Sequence, residues 1–308
     1  MSAEEMFDVI IVGGGAAGLT AGIYSSRARL STLILNEGAI GGQMVLTEEI
    51  ANYPGVELTN GYLLASTMKK QAKEFGCRIK SNLKIKSYDL AGDIKHIILE
   101  DGREFSSRSV ILAPGGRPRS LQIPGEEQYK GSGISYCATC DGEFFTGKEV
   151  IVVGGGNSAL EEAVALTTHA EKVTIVHQFD QFQAFQHAVE QAEKNPKIDF
   201  ILESELRSFS GNGVLKEVSL EHLPSGQTTV RKIDGVFIFA GYIPNTAELE
   251  GMVKLNERKE ILVDEDMKTS LPGVFAAGDC IQKKYRQVTT AVSDGTIASL
   301  SAAEYLRS

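Results

Sequence analysis

The 308-residue sequence predicts a three-layer α/β fold, because one pattern of strand, glycine-rich turn and helix occurs in it twice. The first copy reads FDVIIVGGGAAGLTAGIYSSRA, and the second reads KEVIVVGGGNSALEEAVAL. Each copy begins with an apolar run that is too short for a helix and is bounded by glycine, which indicates a buried strand. Two such units predict two Rossmann-like dinucleotide-binding domains.

The first copy has the sequence features of a dinucleotide site. Its strand, Phe7 to Val12, leads into a G-x-G-x-x-G turn, whose glycines permit the tight turn, the approach of a pyrophosphate and close packing of helix on strand. A second strand, STLIL, ends about 20 residues later, where a ribose hydroxyl is bound. The residues predicted to bind this dinucleotide are Gly13, Gly15, Ala16, Ala17, Gly18, Asn36 and Glu37.

The second copy repeats this arrangement with alanine in place of the third glycine. Its strand, Glu149 to Val153, precedes the turn, and a further strand, KVTIVH, follows the helix. Two sites allow one resident flavin and one reductant. The residues predicted to bind the second dinucleotide are Gly154, Gly156, Asn157, Ser158, Ala159, His177 and Gln178.

Composition and charge exclude several classes of function. The net charge is −9 and there is no basic run, so nucleic acid is not an expected partner. The acidic start MSAEEMF and the short apolar run after it are unlike a signal peptide. No segment approaches the roughly 18 apolar residues of a membrane-spanning helix. We therefore expect a cytoplasmic protein with no membrane partner.

The segment YCATCDG places Cys137 and Cys140 two residues apart and directly before Asp141. A persistent structural disulfide is uncommon in a reducing cytosol. A zinc site needs about four ligands, whereas Cys77 and Cys280 stand alone and the five His residues show no ligand spacing. We therefore predict no metal site, a redox-active dithiol at the C-x-x-C pair, and buried packing roles for the other two cysteines.

Several motifs follow one another in a fixed order along the chain. They are GGGAAGLTAGIYSSRA, GGQM, EIANYPG, CATCD, GYIPNT, GVFAAGDC and YRQVTTAVSDG. In this order they resemble the low-molecular-weight thioredoxin reductases of bacteria and archaea, from residue 6 to the end of the chain. The resemblance implies a homodimer whose discontinuous FAD-binding domain comprises residues 1–117 and 247–308. A nucleotide-binding and redox-disulfide domain, residues 118–246, is inserted between these two segments.

The same resemblance implies roles for the redox segment. Cys140 is the sulfur nearer the flavin, and Cys137 attacks the disulfide of thioredoxin or of a thioredoxin-like protein. Asp141 relays a proton as the dithiol opens and closes. The alternative for Asp141 is a turn or helix-capping role in the D-G dipeptide.

Further flavin contacts are carried over from the resemblance. For two of them, Gln43 and Asn52, ordinary loop hydrogen bonding is the alternative. The family usually has A-T-G where this chain has Ala113, Pro114 and Gly115, and the proline removes a backbone donor there. The implied flavin-binding residues are Gly42, Gln43, Asn52, Ile85, Ala113, Gly115, Asp279, Arg286, Gln287 and Val288.

One departure from the family concerns the electron donor. NADPH-using members carry H-R-R-x-x-x-R after the second strand of the nucleotide domain, and here the stretch reads HQFDQFQA. Gln178, Phe179 and Gln183 stand where the three arginines belong. Two lost charge-assisted hydrogen bonds cost on the order of 3–6 kcal/mol. NADPH is therefore a poor candidate, and NADH or a non-nicotinamide donor such as ferredoxin is expected instead.

Two other functions stay open at the level of sequence. One is a flavin-dependent dithiol oxidase that closes small-molecule disulfides and passes electrons to oxygen. The other is a redox-sensing flavoprotein without turnover. Substitution of Cys137 by Ser separates them, because an enzyme loses disulfide reduction while it keeps flavin.

Overall fold

A computed structural model describes residues 6–47, 50 and 52–307. The chain divides into two compact units, one made of Met1–Arg117 with Ile243–Ser308 and the other of Pro118–Tyr242. The chain returns from the second unit to the first after residue 242, whereas the sequence predicts this boundary after residue 246. The first five residues, and Glu49 and Ala51 of the EIANYPG motif, lie outside the described residues.

The helices and strands are numbered in chain order. The first stretch contains β1 (Met6–Val12), α1 (Ala16–Arg27), β2 (Thr32–Leu35), α2 (Gly61–Glu74), β3 (Arg78–Lys80), β4 (Ile85–Asp89), β5 (Lys95–Leu99), β6 (Glu104–Leu112) and β7 (Gly116–Pro118). The middle stretch contains α3 (Glu126–Tyr129), β8 (Ile134–Ser135), α4 (Ala138–Asp141), β9 (Glu149–Val153), α5 (Asn157–Leu166), β10 (Lys172–Val176), α6 (Gln186–Glu193), β11 (Ile198–Ile201), β12 (Ser204–Asn212), β13 (Val214–His222), β14 (Gln227–Lys232) and β15 (Gly235–Ile238). The last stretch contains β16 (Tyr242–Pro244), β17 (Val274–Ala276) and α7 (Val288–Tyr305). Short 3₁₀ segments occur at Gly42–Leu46, Gly142–Phe145 and Ala247–Leu249.

The first unit is layered about a seven-stranded sheet of order β3-β2-β1-β6-β5-β4, with β17 also paired to β6. The pairs among β1, β2, β3, β6 and β17 are parallel, whereas β4 and β5 are antiparallel to their neighbours. Because side chains alternate along a strand, Val9 and Ile11 of β1 pack with α1, α2 and α7. Ile10 and Val12 pack with β4 and β5 on the opposite face.

The second unit repeats this layering with a parallel sheet of order β11-β10-β9-β15-β8. Val150 and Val152 of β9 pack with α5 and α6. Ile151, between them, packs with the antiparallel sheet β12-β13-β14. The predicted strand over 149–153 is confirmed residue for residue, and the predicted strand over 7–12 is longer by Met6.

Within the described ranges, no helix is both long enough and apolar enough to cross a bilayer.

Candidate functional site

The first glycine turn leaves no room for side chains. Gly13 has a φ of +104°, and a Cβ there would lie 2.1 Å from the carbonyl oxygen of Ala113. A Cβ on Gly18 would lie 1.9 Å from the carbonyl oxygen of Gly13. Both distances are far below van der Waals contact, so β1, α1 and Ala113 meet at distances that only glycine permits.

The N-terminus of α1 opens onto a surface made of backbone. Gly15 is the N-cap residue and supplies no side-chain hydrogen bond. The residue opposite is also a glycine, Gly42, whose Cα lies 3.9 Å from the position of a Cβ on Gly15. The first amides of the helix, which include those of Ala16 and Ala17, have no acceptor within the helix. Such a terminus is suited to an anion, and its shape fits a pyrophosphate.

The end of β2 places two predicted residues in different roles. The Asn36 side chain accepts a hydrogen bond from the amide of Gly14 at 2.8 Å and donates to the carbonyl of Gly38 at 2.8 Å, so it fastens the loop. Glu37 is exposed, and one of its oxygens accepts a hydrogen bond from the amide of Ile85 at 2.8 Å. Glu37 is therefore the carboxylate at the position where a ribose is expected.

The end of β6 brings Ala113 and Gly115 next to this turn. Ala113 is buried, and its amide donates to the carbonyl of Val12 at 2.7 Å. Gly115 has a φ of +64°, and its carbonyl accepts from the amide of Asn245 at 3.0 Å. The Asn245 side chain also donates to the carbonyl of Pro114 at 3.0 Å, so the backbone at the atypical proline is held by a side chain of the GYIPNT motif.

Two predicted flavin contacts lie on an exposed stretch before α2. Gln43 belongs to the 3₁₀ segment Gly42–Leu46, which begins after the left-handed Gly41. Asn52 lies in the following loop, and both side chains are exposed. Their exposure is compatible with contact to a ligand and also with ordinary loop bonding.

The start of α7 is fixed by side chains of its own unit. Gln287 is the N-cap residue and forms a capping box with Thr290, and Val288 is the first residue of the helix. Arg286, directly before the cap, is paired with the buried carboxylate of Glu260. Three predicted flavin contacts therefore share a rigid helix start.

The C-x-x-C pair is closed as a disulfide between Cys137 and Cys140, whose Cα atoms are 5.3 Å apart. Cys137 is the N-cap residue of the short helix α4, and its Sγ accepts a hydrogen bond from the amide of Cys140 at 3.2 Å. Cys77 and Cys280 are buried and free, and burial raises the pKa of each thiol to about 12. The packing role predicted for these two is confirmed, because thiols with such a pKa are inert at neutral pH.

Asp141 closes α4 behind the disulfide. Its Oδ2 lies 2.5 Å from the hydroxyl oxygen of Ser135. Burial raises the pKa of the Asp141 carboxyl above its ordinary value, and the hydrogen bond from Ser135 acts in the opposite direction. A carboxyl group with a raised pKa holds its proton more readily than an ordinary exposed aspartate, which suits it to proton transfer.

The second glycine turn keeps the backbone frame of the first. Gly154 has a φ of +139°, and a Cβ there would lie 2.6 Å from the carbonyl oxygen of Phe239. Gly156 is the N-cap residue of α5 and supplies no side-chain hydrogen bond. Ala159 is buried beneath the turn. The frame therefore presents helix amides as an anion site does.

The segment after β10 folds over this turn. The amide of Gln183 donates to the carbonyl of Gly155 at 2.8 Å, and the amide of Phe185 donates to the side chain of Asn157 at 2.7 Å. Ser158 is exposed. The side-chain oxygen of Asn157 is therefore engaged by the chain itself.

His177 lies against the backbone of this turn. It is buried, and its ring lies 2.3 Å from the position of a Cβ on Gly155. The ring stacks on Phe182 with centroids 5.6 Å apart and meets Phe179 edge-on at 5.3 Å. Burial lowers the pKa of His177, so the ring is neutral at pH 7, and the next residue, Gln178, is exposed and uncharged.

No metal centre emerges from the described side chains. Among them, no group of three or more His, Cys, Asp or Glu residues is arranged to hold an ion.

Comparison with known proteins places this geometry in a family. Residues 7–295 match the pyridine nucleotide-disulphide oxidoreductase family. The chain belongs to this family. Thioredoxin reductase of Peptoclostridium acidaminophilum is 44% identical over 310 residues, which cover 98% of each chain.

Solved structures agree with this placement. Thioredoxin reductase from Streptococcus pyogenes MGAS5005 is 40% identical, with a TM-score of 0.93 over 99% of each chain. Thioredoxin reductase from Giardia duodenalis is 34% identical, with a TM-score of 0.94 over 99% of this chain and all of that one. The predicted α/β fold with two Rossmann-like domains is confirmed. The chain is an enzyme, a thioredoxin reductase-like flavin disulfide oxidoreductase.

Membership of the pyridine nucleotide-disulphide oxidoreductase family implies FAD, and the first unit fits that group. The decisive observation is Asp279, whose Oδ1 is buried with no hydrogen-bond partner in the described part of the chain. Burial raises the pKa of Asp279, whereas the cations of Lys283 and Arg286 oppose that rise. A buried carboxylate oxygen without a partner is costly unless a donor reaches it, and the hydroxyls of a flavin side chain are such donors.

Two further carboxylates lie next to the predicted site residues. Asp294 of α7 accepts a hydrogen bond from the amide of Gly278 at 3.0 Å and pairs with Lys283, so it fixes the loop that carries Asp279. Glu162 on α5 faces the hydroxyl and amide of Thr139, between the two cysteines. The Asp294 contact joins two of the motifs, GVFAAGDC and YRQVTTAVSDG, but the motifs alone do not say which of their residues meet. The Glu162 contact follows from neither periodicity nor a motif, because it joins two separate segments.

Proposed function

We propose that this enzyme passes electrons from bound FAD through the Cys137–Cys140 pair to thioredoxin or a thioredoxin-like protein. The observation that carries the proposal is the disulfide itself, which closes within one turn of helix beside the half-buried carboxyl group of Asp141. Relatives that align with nearly the whole chain are named thioredoxin reductase, which supports thioredoxin as the class of substrate.

The dithiol carries out the exchange with substrate. The thiolate of Cys137 attacks one sulfur of the substrate disulfide, which breaks that bond and forms a mixed disulfide. Cys140 then attacks Cys137, which releases the substrate and closes the Cys137–Cys140 bond. Two electrons pass to the substrate, and its two sulfurs take up the two protons that the dithiol gives up. Asp141, whose pKa is raised by burial, holds one of these protons and delivers it to the departing sulfur.

The first unit holds the FAD. When bound, the flavin supplies the two electrons that reopen the Cys137–Cys140 bond. The α1 N-terminus with Gly15 takes the pyrophosphate, Glu37 takes the ribose of the adenosine half, and Asp279 takes the flavin side chain. The remaining residues assigned to this site are Gly13, Ala16, Ala17, Gly18, Asn36, Gly42, Gln43, Asn52, Ile85, Ala113, Gly115, Arg286, Gln287 and Val288.

The second unit binds an electron donor that is not preferentially NADPH. The 2′-phosphate of NADPH is held by cations, and none of the side chains from His177 to Gln183 carries a positive charge at pH 7. His177 is uncharged at pH 7 because burial lowers its pKa, and Gln178, Phe179 and Gln183 carry no charge.

The donor is NADH or a protein such as ferredoxin. NADH lacks the 2′-phosphate, and Gly154, Gly156 and Ala159 keep the frame of a dinucleotide turn, which supports it. NAD sites place an acidic residue at the end of the second strand, and here His177 and Gln178 occupy that place. This absence favours the protein donor.

An anaerobic titration of the purified yellow enzyme tests these assignments. We expect NADH or reduced ferredoxin to bleach the flavin and NADPH to do so poorly, followed by reduction of thioredoxin. Equal turnover with NADPH would refute the assignment of the donor. Cys137→Ser is expected to keep the flavin and lose thioredoxin reduction, while the matched variant Cys77→Ser keeps both. Peroxide release with small dithiols and no reduction of thioredoxin would favour the dithiol oxidase instead.

We also assign the enzyme to the cytoplasm and to a homodimer. A reducing compartment suits a dithiol that must open in every cycle. The dimer rests on the resemblance to the family, and sedimentation of the holoenzyme at two concentrations tests it.

A further inference from the structure

Ser135 contacts both ends of the redox turn, which runs from Cys137 to Asp141. It lies at the end of β8 and is 5% exposed. Its hydroxyl oxygen lies 2.5 Å from Oδ2 of Asp141 and 3.2 Å from the carbonyl oxygen of Cys137. The same oxygen accepts a hydrogen bond from the amide of Cys137 at 3.0 Å.

One fixed orientation of the Ser135 hydroxyl cannot make all three of these hydrogen bonds. A hydroxyl has one proton and two acceptor lone pairs. The amide of Cys137 takes one lone pair in every state, because an amide only donates. The hydroxyl proton of Ser135 then has two acceptors within reach, the carboxyl of Asp141 and the carbonyl of Cys137. The charge of Asp141 decides between them.

When Asp141 is ionised, the hydroxyl proton points to the carboxylate. A distance of 2.5 Å matches a charge-assisted O–H···O⁻ bond, and the 3.2 Å contact to the carbonyl is weaker. When Asp141 is protonated, the carboxylic acid donates to the second lone pair of Ser135. The hydroxyl proton then turns to the carbonyl of Cys137. Every donor has an acceptor in both states, and only hydrogen atoms move.

We propose that Ser135 is a positioning residue for Asp141, whose hydroxyl holds the carboxyl group in one place in both protonation states by reversing one hydrogen bond. The proposal rests on the proposed function, in which Asp141 gives a proton to a departing sulfur and regains one when the disulfide is next opened. The hydroxyl of Ser135 keeps its own proton throughout, so the proton balance of the exchange is unchanged.

The test is the pH dependence of disulfide exchange by the holoenzyme. Pre-reduced enzyme is mixed with a small aliphatic disulfide, whose departing sulfur needs a proton, and the rate constant is followed between about pH 5 and 9, where a bell-shaped profile reports an attacking thiolate and a proton donor. The hydrogen bond from Ser135 lowers the pKa of Asp141, so its loss raises that pKa. We therefore expect Ser135→Ala to move the alkaline limb upward by about one pH unit and to leave the acid limb in place.

Two further serine variants separate positioning from folding. Ser135→Thr keeps the hydroxyl, and we expect its alkaline limb to return to the wild-type position even if its rate is lower. Ser132→Ala removes a hydroxyl three residues earlier in the same segment, and we expect a wild-type profile. A Ser135→Ala profile that is lower at every pH with an unmoved alkaline limb shows a merely structural serine and overturns the proposal.

The variant Asp141→Asn tests whether Asp141 is the group that titrates in the alkaline limb of the pH profile. Glu143 after α4, Glu161 and Glu162 on α5, and His169 beyond α5 are the other titratable groups around the redox turn. We expect the alkaline limb to disappear in Asp141→Asn. If it persists, Asp141 is not the proton donor, and the inference fails together with that part of the proposed function. If it disappears while Ser135→Ala leaves the limb unmoved, the proposed function stands and the inference alone fails.

Discussion

The two glycine turns share one backbone frame but differ in how closely the helix approaches it. In the first turn, a Cβ on Gly18 would lie 1.9 Å from the carbonyl oxygen of Gly13. In the second, Ala159 carries a real Cβ, 3.0 Å from the position of a Cβ on Gly154. α1 therefore packs against its turn through backbone alone, whereas α5 is held off by a methyl group.

The larger difference lies at the end of the next strand. β2 ends beside Glu37, an exposed carboxylate suited to a ribose. β10 ends beside His177, a buried neutral ring stacked on Phe182, and the exposed Gln178. A glycine turn therefore identifies a frame for phosphates, while the side chains after the second strand decide which nucleotide the frame can hold.

The largest expected effect comes from giving the second turn the charges it lacks. The double variant Gln178→Arg and Gln183→Arg places two guanidinium groups where the 2′-phosphate of NADPH is gripped. Each charge-assisted hydrogen bond contributes about 1.5–3 kcal/mol, so we expect the Kd for NADPH to fall about a hundredfold or more. Quenching of flavin fluorescence during titration with NADPH and NADH measures the change.

Gln181→Arg is the matched control for that experiment. It adds one of the same charges in the same loop, at a position that the family motif leaves open. A comparable gain in NADPH affinity from Gln181→Arg would mean that net charge, and not position, limits binding. That result would mean that the side chains at the two strand ends do not decide which nucleotide is bound.

A smaller effect is expected from exchanging the third small residue of each turn. Gly18→Ala forces a methyl group against the carbonyl of Gly13, which costs about 1–3 kcal/mol of stability and displaces the helix terminus that cradles the pyrophosphate. We expect this variant to lose most of its FAD, measured as the ratio of flavin to protein absorbance. The reciprocal variant Ala159→Gly should keep its FAD and lose about 1 kcal/mol from lower helix propensity. Equal flavin content in the two variants would contradict the assignment of FAD to the first turn.

The sequence predicts the frame of each unit because the frame depends on local pattern. The strand over 149–153 is an uninterrupted apolar run, and the structure has it without change. The G-x-G-x-x-G pattern predicts a tight turn at Gly13 and close packing at Gly18, and the surroundings of both glycines leave no space for a Cβ. The spacing of apolar residues in a strand and the backbone conformation of a glycine turn both depend on residues that are neighbours in the sequence.

The contacts that hold the site residues in place do not follow from local sequence pattern. Ser135 reaches Asp141 across six positions, Asp294 reaches Gly278 across 16, and Glu260 reaches Arg286 across 26. Each pair is brought together by the path of a loop, and neither residue type nor spacing distinguishes such a serine or carboxylate from an ordinary surface residue. Donor preference, by contrast, can be predicted from the sequence. Once the positions of the family's arginines are known, the sequence shows that other residues occupy them.

The smallest expected effect concerns the neutrality of His177, on which the contrast between the strand ends depends. Burial lowers the pKa of His177 below 6.5, so the unfolded chain binds the proton more readily than the folded one. The stability that the neutral ring contributes is therefore complete above pH 6.5 and is lost as the pH falls through the pKa of the folded state. We expect the Tm of the enzyme to fall from this cause on going from neutral to mildly acidic pH. In His177→Gln that part of the pH dependence should vanish, whereas His187→Gln, which changes an exposed histidine on α6, should retain it. If His177→Gln shows the full wild-type dependence, His177 does not titrate with a lowered pKa, and a charged imidazole would then be available to a phosphate at the second strand end.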